Sequence, residues 1–150
     1  MQKITPNLWF DGNGKEAVDF YMSVFPDSKI IGTTYYPTEG IADFQKPLAG
    51  KELTIEFELF GQSYVALNAG SEFKFNEAVS FSIACKDQEE IDYYWGKLTA
   101  DGGEESVCGW CKDKYGLSWQ VTPENWEDLL KQPDAFANMM KMKKIVIADF

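Results

Sequence analysis

The sequence predicts an α+β fold made of duplicated βαβββ modules that form a curved, antiparallel-rich mixed sheet with a central cleft. Three observations lead there. AVDFYMSVF (Ala17–Phe25) and EIDYYWGKL (Glu90–Leu98) write nearly the same amphipathic helix twice, at a constant offset of 73 residues. The same offset sets Leu8 on Phe81, Phe10 on Ile83 and Glu16 on Glu89. The strand candidates, finally, alternate between an apolar and a polar face. Two helices can share an aromatic stripe for core packing alone. A strand, a cap and a helix repeating in register favour a true duplication.

The elements follow in order. ITPNLWF reads as a strand closed by the turn DGNG, and Asn13 with Glu16 three residues on forms a helix-start signature for a helix to about Val24. Phe25-Pro26-Asp27 stops that helix. SKIIGTTYY is a strand, and residues 37–50 form a long loop. ELTIEFELF and QSYVALNA are two alternating strands joined across Gly61 as a hairpin. AVSFSIAC restarts the pattern, with Asp87 and Glu90 as the second cap. ESVCGWCKD and LSWQV are expected to form another hairpin, turning at Lys114-Tyr115-Gly116. Thr122-Pro123 should start a helix, and KKIVIADF is β-prone on both faces. One domain over 1–150 is expected, with module one at about 3–70, module two at about 77–122, and a C-terminal helix and strand over 123–150.

Composition narrows the chemistry. Aromatic residues make up 15% of the chain, ample material for a packed core. A net charge of −10 argues against nucleic acid or an anionic membrane as partner. No apolar run reaches membrane-spanning length, and MQKITPNLWF lacks the build of a signal peptide, so a cytoplasmic location is expected. There is no histidine, which removes Ser-His-Asp and Cys-His catalysis and imidazole ligation.

The strand faces suggest a site. Leu8, Phe10, Leu53, Ile55, Phe57, Leu59, Val65, Leu67, Phe81, Ile83, Leu117, Trp119 and Val121 are expected under the helices. Asn7, Trp9, Thr54, Glu56, Glu58, Tyr64, Asn68, Ser80, Ser82, Ser118 and Gln120 fall on the opposite face. That face is either solvated or lines a polar cleft, and Trp9 and Tyr64 favour the cleft. Glu56 and Glu58 share it and are the candidates for an acid–base pair or a carboxylate metal site. Phe73 and Phe75, on the loop before the fifth strand, are not readily explained by a regular core. Cys108-Gly109-Trp110-Cys111 has redox spacing but sits in a β-like segment, where a thiol gains no helix N-terminus. With Cys85 alone beside it, it cannot complete an ordinary zinc site.

NLWFDGNGKEAVDFY, ALNAGSEFKFNEAVSF, CGWCKDKYGLSWQVTP and MKKIVIA resemble the PhnB-like, 3-demethylubiquinone-9 3-methyltransferase-like proteins of the vicinal oxygen chelate (glyoxalase/bleomycin resistance protein/dioxygenase) superfamily. The resemblance covers nearly the whole chain, and DKYGLSWQ after a Trp is its most specific element. It implies a homodimer and a small-molecule ligand. Superfamily enzymes hold a divalent metal on strands one, four, five and eight, positions that here fall on Asn7, about Ala66, Ser80 and Gln120. These are weak or absent donors, so no metal and no cofactor are expected. The second half also looks one strand short, and KKIVIA is expected to fill that edge. DGNG lacks the spacing of a nucleotide-binding loop, so the methyltransferase label finds no support in these residues. The resulting expectation is a ligand site of Asn7, Trp9, Tyr64, Asn68, Phe75, Ser80, Ser118 and Gln120. An enzyme, either a methyltransferase or a carboxylate-metal lyase, isomerase or dioxygenase, is the alternative.

Overall fold

A computed structural model describes residues 2–150. The chain divides into two compact units, residues 1–74 and 75–150. Each is built around one four-stranded mixed sheet among the described residues.

In the first unit β1 (Asn7–Phe10), α1 (Gly14–Val24), β2 (Ser28–Tyr35), β3 (Glu52–Leu59) and β4 (Gln62–Asn68) give the order β1-β4-β3-β2. In the second, β5 (Ser80–Cys85), α2 (Gln88–Thr99), β6 (Glu104–Glu105), β7 (Trp110–Lys112) and β8 (Ser118–Pro123) give β5-β8-β7-β6. The first strand pairs in parallel with the last in both, and the other pairings are antiparallel. This is the expected βαβββ arrangement, written twice.

The helices bury equivalent residues. α1 turns Ala17, Val18, Tyr21 and Val24 inward, and α2 turns Ile91, Tyr94, Trp95 and Leu98. Tyr21 stacks on Phe57 at 6.1 Å, and Phe57 on Tyr64 at 5.6 Å. Each large side chain so buried contributes about 1.5–3 kcal/mol. The two helix starts differ. Asp87 accepts the Glu90 N–H at 2.9 Å, as its spacing predicts. Asn13 makes no such side-chain bond. The first N–H of α1, on Gly14, is instead taken by Asn68 Oδ1 of β4 at 2.9 Å.

Three expectations are corrected. ESVCGWCKD is not one strand. It breaks at 106–109, where Cys108 and Gly109 both take positive φ, and the two exposed glutamates of β6 supply the edge that the second half seemed to lack. KKIVIA therefore forms no strand. It runs extended into a 3₁₀ turn at Ile147–Asp149, buries Ile145 completely, and is held by Gln88. The Gln88 amide donates to Ile145 O at 2.9 Å and accepts from Ile147 N at 2.8 Å. Thr122-Pro123 starts no helix either. Both residues extend β8, and the short helices α3 (Trp126–Leu129) and α4 (Ala135–Met139) follow.

Candidate functional site

Cross-strand register decides which side chains share a face. In the second sheet Ser80 pairs with Ser118, Ser82 with Gln120 and Ala84 with Thr122. Across β7, Trp110 pairs with Gln120 and Lys112 with Ser118, and Glu104 pairs with Lys112. These residues form the face away from α2. Ser80, Ser118 and Gln120 lie there together, as the alternation predicts.

Among the described residues, this face bears a larger and a smaller hollow. The larger, about 470 Å³, is lined by Ser82, Ala84, Gln120, Thr122 and the chain from Pro123 to Asp128. Gln120 is one of its polar walls. Its amide nitrogen donates to Ser80 Oγ at 3.0 Å, and its amide oxygen takes no hydrogen bond among the described residues. Glu124, Glu127 and Asp128 rim the hollow and are exposed. The smaller, about 170 Å³, has Ser118 in its wall.

The first sheet corrects the face assignment of β4. Tyr64 pairs with Phe57 and Ala66 with Ile55, so Tyr64, Ala66 and Asn68 lie under α1. Asn68 is 5% exposed, and its side chain is spent on Gly14 N and Glu52 O. Val65 and Leu67 face the other way beside Asn7, Trp9, Thr54 and Glu56. The sequence misleads because the two most apolar residues of β4 sit on its open face. The helix-covered positions need a small residue, Ala66, and a capping amide, Asn68. Burial raises the Tyr64 phenol above its usual range.

The remaining candidates scatter. Asn7 is exposed and bonds Thr5 O at 3.0 Å. Trp9 donates to Gly70 O at 2.8 Å and meets Phe73 edge-on at 4.8 Å. Phe75 is half-buried, about 4 Å from where a Cβ on Gly116 would sit. Glu56 and Glu58 share the open face, with Glu58 paired to Lys29 at 3.4 Å. The CxxC thiols do not pair. Cys111 is buried, its thiol pushed up to about 12 by burial, and Cys108 meets Met140 Sδ at 3.5 Å.

Asp113 escaped notice in the sequence. It is 2% exposed and ties the turn between β7 and β8. Oδ1 accepts the N–H of Tyr115 at 2.9 Å and of Leu117 at 3.1 Å, and Oδ2 accepts the Trp119 indole at 2.9 Å. The motif DKYGLSWQ is this one carboxylate with its three donors, and it sets Ser118 and Gln120 on the open face.

The model of the 3-demethylubiquinone-9 3-methyltransferase family matches residues 2–122. The chain belongs to this family. A Bacillus cereus PhnB protein described by the same family name is 33% identical over 81% of this chain and 99% of its own, with a TM-score of 0.69. A Pseudomonas aeruginosa protein shares the fold at 18% identity, covering 82% of this chain and 98% of its own, with a TM-score of 0.63. So does a mutant fosfomycin resistance protein of Listeria monocytogenes, at 16% identity over 87% and 96% of the two chains and a TM-score of 0.54. That protein was crystallised with Mn(II) and 1S,2S-dihydroxypropylphosphonic acid. No curated protein matches the chain. The fold is that of the vicinal oxygen chelate superfamily.

The residues present do not fit a superfamily metal. The 73-residue offset equates Trp9 with Ser82. Trp9 pairs with Leu67 and Ser82 with Gln120, so Leu67, not Ala66, is the counterpart of Gln120. Leu67 has no donor atom. Asn7, Ser80 and Gln120 are neutral, and the last two bond each other. Among the described residues no three His, Cys, Asp or Glu side chains come together in a group that could hold a metal ion. Hard divalent cations need several anionic oxygens.

Proposed function

We propose that the protein binds a small neutral or cationic organic ligand in the larger hollow of the second sheet, oriented by Gln120 rather than by a metal. One observation carries this reading: Gln120 lines the hollow, braced by Ser80 and with its amide oxygen unengaged among the described residues. A braced amide offers a donor edge and an acceptor edge in a fixed direction. The volume falls in the range of small-molecule sites, roughly 300–1,000 Å³, and Trp126 and Pro123 supply apolar wall. Glu124, Glu127 and Asp128 disfavour an anion at the rim.

Ligand-observed NMR with a library of neutral, cationic and anionic aromatic fragments tests it. Hits should be neutral or cationic and be lost in Gln120→Leu. Hits confined to anions, or kept in that variant, overturn the reading. The family name supports a second reading, methyl transfer to a catechol-like quinol. Saturable S-adenosylmethionine binding in calorimetry would favour it. The protein acts, in either reading, as a cytoplasmic homodimer, and light scattering should return twice 17.1 kDa.

A further inference from the structure

The smaller hollow carries chemistry that the proposed site does not use. Its walls are Glu77, Glu104, Glu105, Ser106, Trp110, Cys111, Lys112 and Ser118. Ser118 is 1% exposed, and its hydroxyl has no hydrogen-bond partner among the described residues. A buried hydroxyl left so costs about 1–3 kcal/mol, a cost that a ligand group can relieve.

The charges around it say which group. Lys112 pairs with Glu77, and that bond holds the Glu77 carboxyl below its usual range and the Lys112 ammonium above, so both remain charged. The one cation is thereby neutralised. Glu105 turns Oε1 to the Trp95 indole at 2.7 Å, and Glu104 stands across from Lys112, adds to the negative field on its ammonium and forms no ion pair among the described residues. Carboxylates outnumber ammonium groups three to one on these walls. Trp110 adds an aromatic wall, which also attracts cations.

We propose that this hollow is a subsite for a protonated primary amine, with Ser118 Oγ accepting one ammonium N–H, Glu104 supplying the counter-charge and Trp110 covering the alkyl stem. At about 170 Å³ the space suits a short alkylammonium end rather than a whole cofactor. The subsite stands on residues other than Gln120 and holds whether or not the larger hollow binds a ligand.

Ethylammonium chloride is titrated into the ¹⁵N-labelled full chain at constant ionic strength, with ethanol and sodium acetate as neutral and anionic comparators. Saturable shifts are expected at the amides of Glu104, Lys112 and Ser118 with ethylammonium alone. Ser118→Ala should weaken binding roughly tenfold, as for a hydrogen bond to a charged group, and Glu104→Gln severalfold. Gln120→Leu should leave it unchanged. Glu104 is exposed, so its variant stays folded even if Ser118→Ala does not. Acetate or ethanol binding as tightly, no saturation with ethylammonium, or unaltered binding in Glu104→Gln overturns the proposal.

Discussion

Asp113→Ala is the most searching test of how the family motif works. The substitution strands three donors at once: the N–H groups of Tyr115 and Leu117 and the indole of Trp119. The bonds to Leu117 and Trp119 are buried and that to Tyr115 is partly so. An unsatisfied buried donor costs about 1–3 kcal/mol, so the loss should reach about 3–6 kcal/mol, against a whole-domain stability of about 5–15 kcal/mol. Asp113→Asn is milder. Its remaining oxygen can keep Tyr115 and Leu117, while its NH₂ confronts the Trp119 N–H, donor against donor, for about 1–3 kcal/mol. Urea unfolding followed by circular dichroism should therefore rank wild type above Asn and Asn above Ala. In a Trp119→Phe background the Asn substitution should cost about 1 kcal/mol less, because the clashing donor is gone. Asp113→Ala within about 1 kcal/mol of wild type would refute the reasoning, as would equal costs of Asp113→Asn in both backgrounds.

Four further outcomes are expected. Gly14→Ala puts a Cβ 2.7 Å from Asn68 Oδ1, so it should destabilise by about 1–3 kcal/mol in thermal unfolding. Gly96→Ala, mid-α2 with nothing within 4 Å, should stabilise by about 0.5–1 kcal/mol. Burial, reinforced by nearby carboxylates, pushes the Cys85 and Cys111 thiols up to about 12 from an ordinary 9.0. The unfolded chain then loses these protons first, so stability measured in urea should fall as pH rises from about 9 to 12, and less so in Cys85→Ala. Amide exchange at Ile147 should be slow and become fast in Gln88→Ala, which removes its acceptor.

Most of the architecture was legible because the two modules repeat strand and helix at one offset, and because the buried helix positions carry large apolar residues. The phase of β4 was not. Val65 and Leu67 look like core, yet the core side of that strand needs a small residue beneath α1 and an amide to cap it. β6 was invisible for a different reason: two exposed glutamates have no strand propensity, and pairing with Lys112 and Cys111 alone makes them a strand. With that edge filled, the β-prone tail had no vacant ladder and settled over Gln88. The candidate site was legible where alternation was clean, at Ser80, Ser118 and Gln120. Asp113 was missed because a carboxylate in a turn reads as solvated, and its three partners are fixed only by the folded turn.

Each unit is a continuous stretch of chain that closes its own ladder, first strand against last. A substitution on one open face therefore leaves the other unit's backbone pairing untouched. The two faces have already diverged on the same strand order: one presents Glu56, Glu58 and Lys29, the other Ser82, Gln120 and a buried Ser118. Duplication here keeps a second copy of the scaffold, so that the open face of one unit can change its side chains while the strand pairing of the other is kept.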